Sequence, residues 1–256
     1  MSTTLTIDNG NTNPHIGFFE GSTLTETTSF NEIETINKLL KKYSQSNNVV
    51  KAIISNVGDS KKLHEKLGSL NFKIESKFIS KIRENNSFLG MPIFYSKTLG
   101  DDRLCQAYLV WKKHPKSSTA LIDCGTFTTI DYITEEGLLG GYIFPGPQTY
   151  LNSFQRGSHL PTLSSKTPSK VEKLDCKKVP QDTDSAILGS LSVFHQGILT
   201  FINQKLNPDK IILTGGKASS LLPYLNEVFF SKSLLDHRPT FIHEALFQVL
   251  QDYNSQ

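Results

Sequence analysis

Cysteine is scarce in this chain: 3 residues in 256, namely Cys105, Cys124 and Cys176. None is spaced as CxxC, and an odd number cannot all be bridged. That excludes a disulfide framework and points to a reducing, cytoplasmic compartment. An excess of one charge is lacking too. Lys and Arg number 27 against 24 Asp and Glu, a formal net charge of +3. The densest basic groups, Lys112-Lys113 and Lys177-Lys178, are single pairs. Such a surface is solvated and carries no electrostatic footprint for nucleic acid. No apolar run approaches the roughly 18 residues that argue for a membrane span. The N-terminus has neither the basic flank nor the apolar centre of a signal peptide, so no membrane association is expected.

The familiar phosphate-loop signatures are also missing. Gly216-Lys217 is followed by Ala218, with no glycine at the position a Walker loop requires, and no GxGxxG run exists. His15, His64, His114, His159, His195, His237 and His243 show no metal-ligand spacing. No serine or cysteine sits in a nucleophile elbow, which argues against acyl transfer.

What the chain does contain is one short signal twice. Asp8-Asn9-Gly10-Asn11-Thr12 follows the apolar run Leu5-Thr6-Ile7, and Asp123-Cys124-Gly125-Thr126-Phe127-Thr128 follows Ala120-Leu121-Ile122. The two aspartates are separated by nearly half the chain. A duplicated strand, Asp-Gly-Thr turn and hairpin suggests two similar lobes facing one anionic ligand, and hence a nucleotide enzyme.

The periodicities support a repeat. Strands are expected at 3–8, 16–19 and 23–29, then a helix over 32–44 with Ile33, Ile36, Leu39, Leu40 and Tyr43 on one face. A buried-type strand follows at 49–57, then a helix through Leu63, Leu67 and Leu70, and a strand at 72–79. The second half runs in the same order: strand 119–123, a hairpin over 129–144, a long helix over 183–206 closed by Asn207-Pro208, strand 210–214, and a final helix over 240–252. The Ser-, Thr-, Lys- and Pro-rich segment 157–182 reads as a surface excursion. The expected class is α/β with mixed sheets and an antiparallel edge. The lobe boundary is expected near 114–118, giving lobes 1–116 and 117–256, with the last helix able to pack back on the first.

In the first turn, Gly10 allows close backbone approach to a phosphate, because it has no Cβ. Asn11 and Thr12 offer donors, and successive amides form an anion-binding concavity. A carboxylate at Asp8 would repel phosphate directly, so its useful role is to hold hydrated Mg2+. Leu99-Gly100-Asp101-Asp102-Arg103 opens a helix whose apolar side carries Leu104, Ala107, Tyr108 and Trp111. Its two acids either compensate the helix dipole or supply a general base, with Arg103 gripping an anionic substrate. Gly140-Gly141-Tyr142-Ile143-Phe144-Pro145-Gly146 and Thr214-Gly215-Gly216 are either ordinary turns or backbone surfaces against a ligand.

Taken in order, Asp8–Thr12, Gly100–Arg103, Asp123–Asp131, Gly140–Gly146, Leu160-Pro161, Thr183 and Thr214–Gly216 resemble the motif series of the type III pantothenate kinases. That family is a branch of the acetate-kinase, sugar-kinase, heat-shock-protein and actin superfamily. The resemblance implies two ribonuclease-H-like lobes in a duplicated actin-like ATPase fold. It also implies transfer of the ATP γ-phosphate to the primary hydroxyl of pantothenate, the first step of coenzyme A synthesis.

By residue matching, it implies that Asp8, Asn9, Gly10, Asn11, Thr12, Asn13, Pro14 and His15 form an ATP phosphate loop, with Asp8 near Mg2+ through water. Thr126, Gly215 and Gly216 would also contact ATP. Asp102 would be the base, with Gly100, Asp101, Arg103, Thr183 and Tyr95 in the pantothenate site. Asp123 would hold a monovalent cation, K+ or NH4+, and the protein would be a homodimer.

Three positions depart from the family pattern. The family tyrosine position falls on Ile93, and a two-residue deletion would place Tyr95 there instead. Asp101 stands where a small apolar residue is usual, and Asp182 precedes Thr183 where Asn is usual. Other readings are a related small-metabolite kinase or a non-catalytic regulator retaining the nucleotide fold.

Overall fold

The computed structural model describes residues 3–43, 49–154, 179–222, 224–225 and 234–255. Leu160-Pro161, Cys176 and nearly all of the expected excursion 157–182 lie outside these residues. The chain divides into two compact units: 1–115 with 136–139 and 240–256, and 116–135 with 140–239.

In the first unit, β1 (Thr3–Asn9), β2 (His15–Glu20), β3 (Thr23–Ser29), β4 (Val49–Asn56) and β5 (Lys73–Phe78) form a sheet in the order β3-β2-β1-β4-β5. β1 runs antiparallel to β2 and parallel to β4. β1 is closed to solvent on both faces, so it reads as a nearly unbroken buried run rather than an alternating one. Leu5, Ile7, Ile16 and Phe18 point to a core completed by Ile36, Leu39 and Leu40 of α1 (Ile33–Tyr43) and Leu63 of α2 (Ser60–Gly68). α2 stops at Gly68, and Leu70, expected within it, is buried just beyond. Asp59 caps this helix by accepting from the backbone N–H of Lys61 at 2.9 Å.

The other face is covered by α4 (Asp101–Lys113) and the C-terminal α7 (Phe241–Tyr253). Phe19 stacks on Phe247 with ring centroids 4.2 Å apart. Thr6 Oγ1 pairs with His243 Nδ1 at 2.8 Å. Tyr108 of α4 donates to Asp252 Oδ2 at 2.7 Å, and Lys112 and Gln248 donate to the same carboxylate. Burial alone would raise the Asp252 pKa, but Lys112, Tyr108 and Gln248 hold it below the usual carboxylate range. Its stabilisation is therefore present at neutral pH and lost as pH falls through that lowered pKa. We expect Asp252→Ala to cost about 1–2 kcal/mol, because it strands the Tyr108 hydroxyl. A calorimetric melt at pH 7 that matches wild type would remove this tie.

Between β5 and α4 lie α3 (Ile79–Ile82) and a short hairpin of β6 (Ser87–Phe88) and β7 (Met91–Pro92), none of which the periodicities announce.

The second unit repeats the sheet. β8 (Thr119–Cys124), β9 (Phe127–Thr134), β10 (Gly137–Pro145), β11 (Lys210–Thr214) and β12 (Leu234–His237) take the order β10-β9-β8-β11-β12. Again the second strand of the triplet is antiparallel to the central one, and the fourth is parallel to it. The architecture is therefore α/β, with two mixed five-stranded sheets of identical order.

α5 (Pro147–Ser153) packs on α6 (Thr183–Phe201), with Tyr150 stacked on Phe194 at 4.8 Å. The expected long helix is α-helical to Phe201 and continues as a wider π turn over Ile202–Leu206, ended by Asn207 in the left-handed region at φ 43°. By length and mean hydropathy (1.4), residues 183–206 would suffice to cross a membrane. Ile187, Leu188, Leu191, Ile198 and Leu199 are instead buried inside the second unit, as in a core helix.

Candidate active site

Asp8 lies one residue before the end of β1, opposite His15 on β2 and Ser55 on β4. Asp123 has the same place on β8, opposite Thr129 on β9 and Thr214 on β11. The two acids thus occupy equivalent positions in the repeat, at the carboxyl ends of parallel strands, where open α/β sheets bind ligands.

Asn9 belongs to β1 and His15 to β2, so the first loop proper is Gly10 to Pro14. Asn11, Thr12 and Asn13 are exposed at its tip, whereas Pro14 is buried and its carbonyl accepts from Phe30 N–H at 2.8 Å. A Cβ on Gly10 would meet only Asp8 Oδ2, at 3.9 Å, so the fold itself does not require glycine there. His15 Nε2 stands 3.9 Å from Asp8 Oδ2, and burial lowers the His15 pKa. His15 also meets the His243 ring edge-on at 5.1 Å.

α4 begins at Asp101, after Gly100 in extended conformation. Asp102 Oδ1 accepts from the backbone N–H of Arg103 at 2.8 Å. Burial raises the Asp102 pKa, against the opposing pull of Arg103. Asp101 is 8% exposed, and its Oδ2 accepts from Asn56 N–H at 3.3 Å. Its pKa is raised by burial and by Asp102, against the Asn56 N–H and Arg83.

Arg103 is buried, with its guanidinium over the Tyr95 ring at 4.9 Å and Nη1 3.4 Å from the Tyr95 hydroxyl. Tyr95, rather than Ile93, therefore stands beside this arginine. Ile93 is buried and bridges Leu138. The loop before α4 is held by Arg83, which donates to the carbonyls of Ser96 and Leu99 at 3.0 and 3.2 Å.

These pieces all belong to the first unit. The Cys105 thiol, fully buried on α4, is pushed well above its ordinary pKa by burial and by the Asp102, Asp8 and Asp101 carboxylates together. The negative charges of Asp8, at the end of β1, and of Asp101 and Asp102, at the start of α4, thus all bear on this one thiol.

In the second unit, Gly125 N–H closes a tight turn on Phe127 O at 3.0 Å. Thr126 O accepts from Gly146 N–H at 3.0 Å and from Thr149 Oγ1 at 2.6 Å. Gly215 has φ 92°, and a Cβ there would strike the Cys124 backbone and the Asp123 carboxylate. Gly216 has open space around it. Gly140-Gly141 lie within β10, on a strand rather than in a turn. Thr183 is the exposed first residue of α6. Asp182 caps that helix by accepting from Ser185 N–H at 2.8 Å, which holds its pKa below the usual carboxylate range.

Three residues of this region were not legible as site elements: Asn56, Arg83 and His243. Each acts through a partner distant in sequence, and none sits in a motif.

A family model described as type III pantothenate kinase matches residues 4–203. The type III pantothenate kinase of Flavobacterium johnsoniae is 30% identical over 252 residues, covering 96% of this chain and 97% of the relative. That of Syntrophus aciditrophicus is 28% identical, covering 86% and 89%. Among solved structures, a Baf-family transcriptional activator from Campylobacter jejuni superposes with a TM-score of 0.58 at 19% identity, covering 98% of this chain and 100% of that one. Component A of (R)-2-hydroxyglutaryl-CoA dehydratase from Acidaminococcus fermentans gives 0.53 at 13% identity, covering 99% and 100%. At these identities the structural likeness shows the fold alone.

Proposed function

Since the chain belongs to the type III pantothenate kinase family, we propose that it moves the γ-phosphate of ATP to the primary hydroxyl of pantothenate, opening coenzyme A biosynthesis, with Asp102 as the base. The observation that supports the residue assignment is that the loop after Asp8 and the Asp102 carboxylate both border Val57-Gly58: a Cβ on Gly58 would lie 2.9 Å from Gly10 O, and one on Gly100 would lie 2.5 Å from Asp102 Oδ1 and 3.1 Å from Val57 Cγ1. On this reading Asp8 is a strand-end carboxylate suited to hydrated Mg2+ and Asp102 a helix-start carboxylate suited to a proton.

Phosphoryl transfer asks mostly for positioning and charge neutralisation. Asp102, with Oδ1 fixed by Arg103 N–H, accepts the hydroxyl proton as that oxygen bonds to phosphorus and ADP departs. Residues Asn9 to Asn13 and His15, with Thr126, Gly215 and Gly216, contact ATP, and the open space over Gly10 suits a phosphate. Buried Pro14 shapes the loop through its carbonyl. Gly100, Arg103, Tyr95 and Thr183 contact pantothenate, whose carboxylate gives the Arg103–Tyr95 pair an anion to recognise.

Among the described residues no group of three or more His, Cys, Asp or Glu side chains could hold a metal. On this reading an Mg2+ keeps most of its waters and would be held by Asp8 and the nucleotide. When bound, it neutralises phosphate charge. Asp123, next to the Cys124 carbonyl at the Gly215 turn, offers the oxygen donors that K+ or NH4+ takes. Asp123→Ala is expected to abolish most K+ activation. Equal wild-type rates in K+ and Na+ would remove the cation site.

The second unit exposes Val193 and Phe201 on α6 and Tyr142 and Ile143 on β10, with Tyr142 edge-on to Phe201 at 5.4 Å. We assign this apolar patch to a second copy of the chain. Val193→Glu should convert a dimer to a monomer by light scattering. The buried free thiols Cys105 and Cys124 suit the cytoplasm.

The deciding experiment incubates the purified chain with ATP, Mg2+, K+ and pantothenate and looks for phosphopantothenate by mass. Its absence would overturn the assignment.

A further inference from the structure

The phosphate loop and the base helix are joined by a polar bridge that runs through the end of β4. Asn9 Nδ2 donates to Asn56 Oδ1 at 2.7 Å, and the Asn56 backbone N–H donates to Asp101 Oδ2 at 3.3 Å. Asn56 is itself pinned, since its Nδ2 donates to Ser60 Oγ at 2.8 Å. On the loop side, the N–H groups of Val57 and Gly58 donate to Asn9 O at 3.3 and 2.8 Å, and a Cβ on Gly58 would lie 2.9 Å from the carbonyls of both Asn9 and Gly10. On the helix side, a Cβ on Gly100 would lie 2.5 Å from Asp102 Oδ1 and 3.1 Å from Val57 Cγ1. The segment Asn56–Gly58 is thus packed without slack between the loop and the base.

A buried carboxylate costs free energy unless it is hydrogen-bonded, and Asp101 meets that cost partly through the Asn56 N–H and the Arg83 charge. The bond that relieves it also fixes the first turn of α4.

We propose that Asn56 and Asp101 are positioning residues that set Asp102 against the phosphate loop, and that Asp101 does not touch pantothenate. In this respect the proposal rests on the kinase reading for its rate measurements. Misplacing reacting groups by about 1 Å can cost on the order of 10²-fold. With partial relaxation, Asn56→Ala and Asp101→Ala are each expected to lower kcat about tenfold, with KM for ATP and pantothenate within about twofold. Because the two act through one bridge, the double variant should also lose about tenfold rather than about a hundredfold. Asp101→Asn, whose Oδ1 can still accept from Asn56 N–H, should recover most of the loss.

A raised KM for pantothenate in Asp101→Ala, multiplying losses, or an unchanged kcat would overturn the proposal. The bridge also has a readout independent of turnover. The Asn56 amide resonance should shift in Asp101→Ala and return in Asp101→Asn, and a resonance that does not move would also overturn it. A wild type that makes no phosphopantothenate while the amide behaves as described would defeat the kinase reading and leave the bridge standing.

Discussion

Asp102→Asn is expected to lower kcat by about 10²–10⁴-fold, the usual worth of a positioned general base. The substitution is nearly isosteric, and the amide oxygen can still accept from Arg103 N–H, the 2.8 Å bond that holds the side chain at the start of α4. ATP affinity, set elsewhere, should persist in a calorimetric titration. Burial raises the Asp102 pKa, so the wild-type rate should fall on the acid side at a pH above the ordinary carboxylate range, because the base must be ionised. The stability consequence has the opposite sense. A carboxyl whose folded pKa is raised favours the folded state when protonated and loses that advantage as pH rises through the folded value. At neutral pH the ionised Asp102 is therefore a cost, and the Asn variant should melt no lower than wild type. Turnover retained in this variant would sink the base assignment.

The second large effect concerns the fold. Gly215→Ala should cost about 2–5 kcal/mol, combining a strained backbone conformation with forced displacement of packed neighbours. At φ 92° an L side chain is strained whatever the space, and here the space is filled by the Cys124 backbone and the Asp123 carboxylate. Moving them would disturb Lys217 N–H, which donates to Cys124 O at 2.8 Å and ties the β11 turn to β8. Gly216→Ala is the control. A Cβ there meets nothing within 4 Å, so its stability should stay within about 0.5 kcal/mol of wild type. The only tryptophan, Trp111, lies in the first unit, so its fluorescence would miss the damage. Far-UV circular dichroism in a urea titration covers both units. Equal midpoints for the two variants would refute the expectation.

The repeat was legible because its signal is local: an apolar strand, an Asp-Gly-Thr turn and a hairpin follow one another directly in each half, over residues 3–29 and 119–145. The spatial order of the strands was not legible, because it depends on pairings between residues far apart in the chain. Elements with weak periodicity were not legible. α3 has only four residues, and β6 and β7 have two each, too few for any period to show. The shift from α to π geometry after Phe201 leaves the apolar spacing nearly unchanged, so the sequence reads as one helix.

Of the candidate site residues, Asp8, Asp102 and Asp123 stand out by motif. Asn56 does not, because its role arises from an asparagine 47 residues away and from its own backbone N–H. Tyr95 was legible only by shifting a register, and its stacking against Arg103 supplies a physical reason for that shift.

α7 belongs to the first unit, although every residue of the second is synthesised before it. Until it arrives, Phe19 lacks its stacking partner Phe247, and Thr6 Oγ1 lacks His243 Nδ1. During synthesis of the later unit that face therefore carries α4 without α7, and the pairs that α7 supplies form only afterwards.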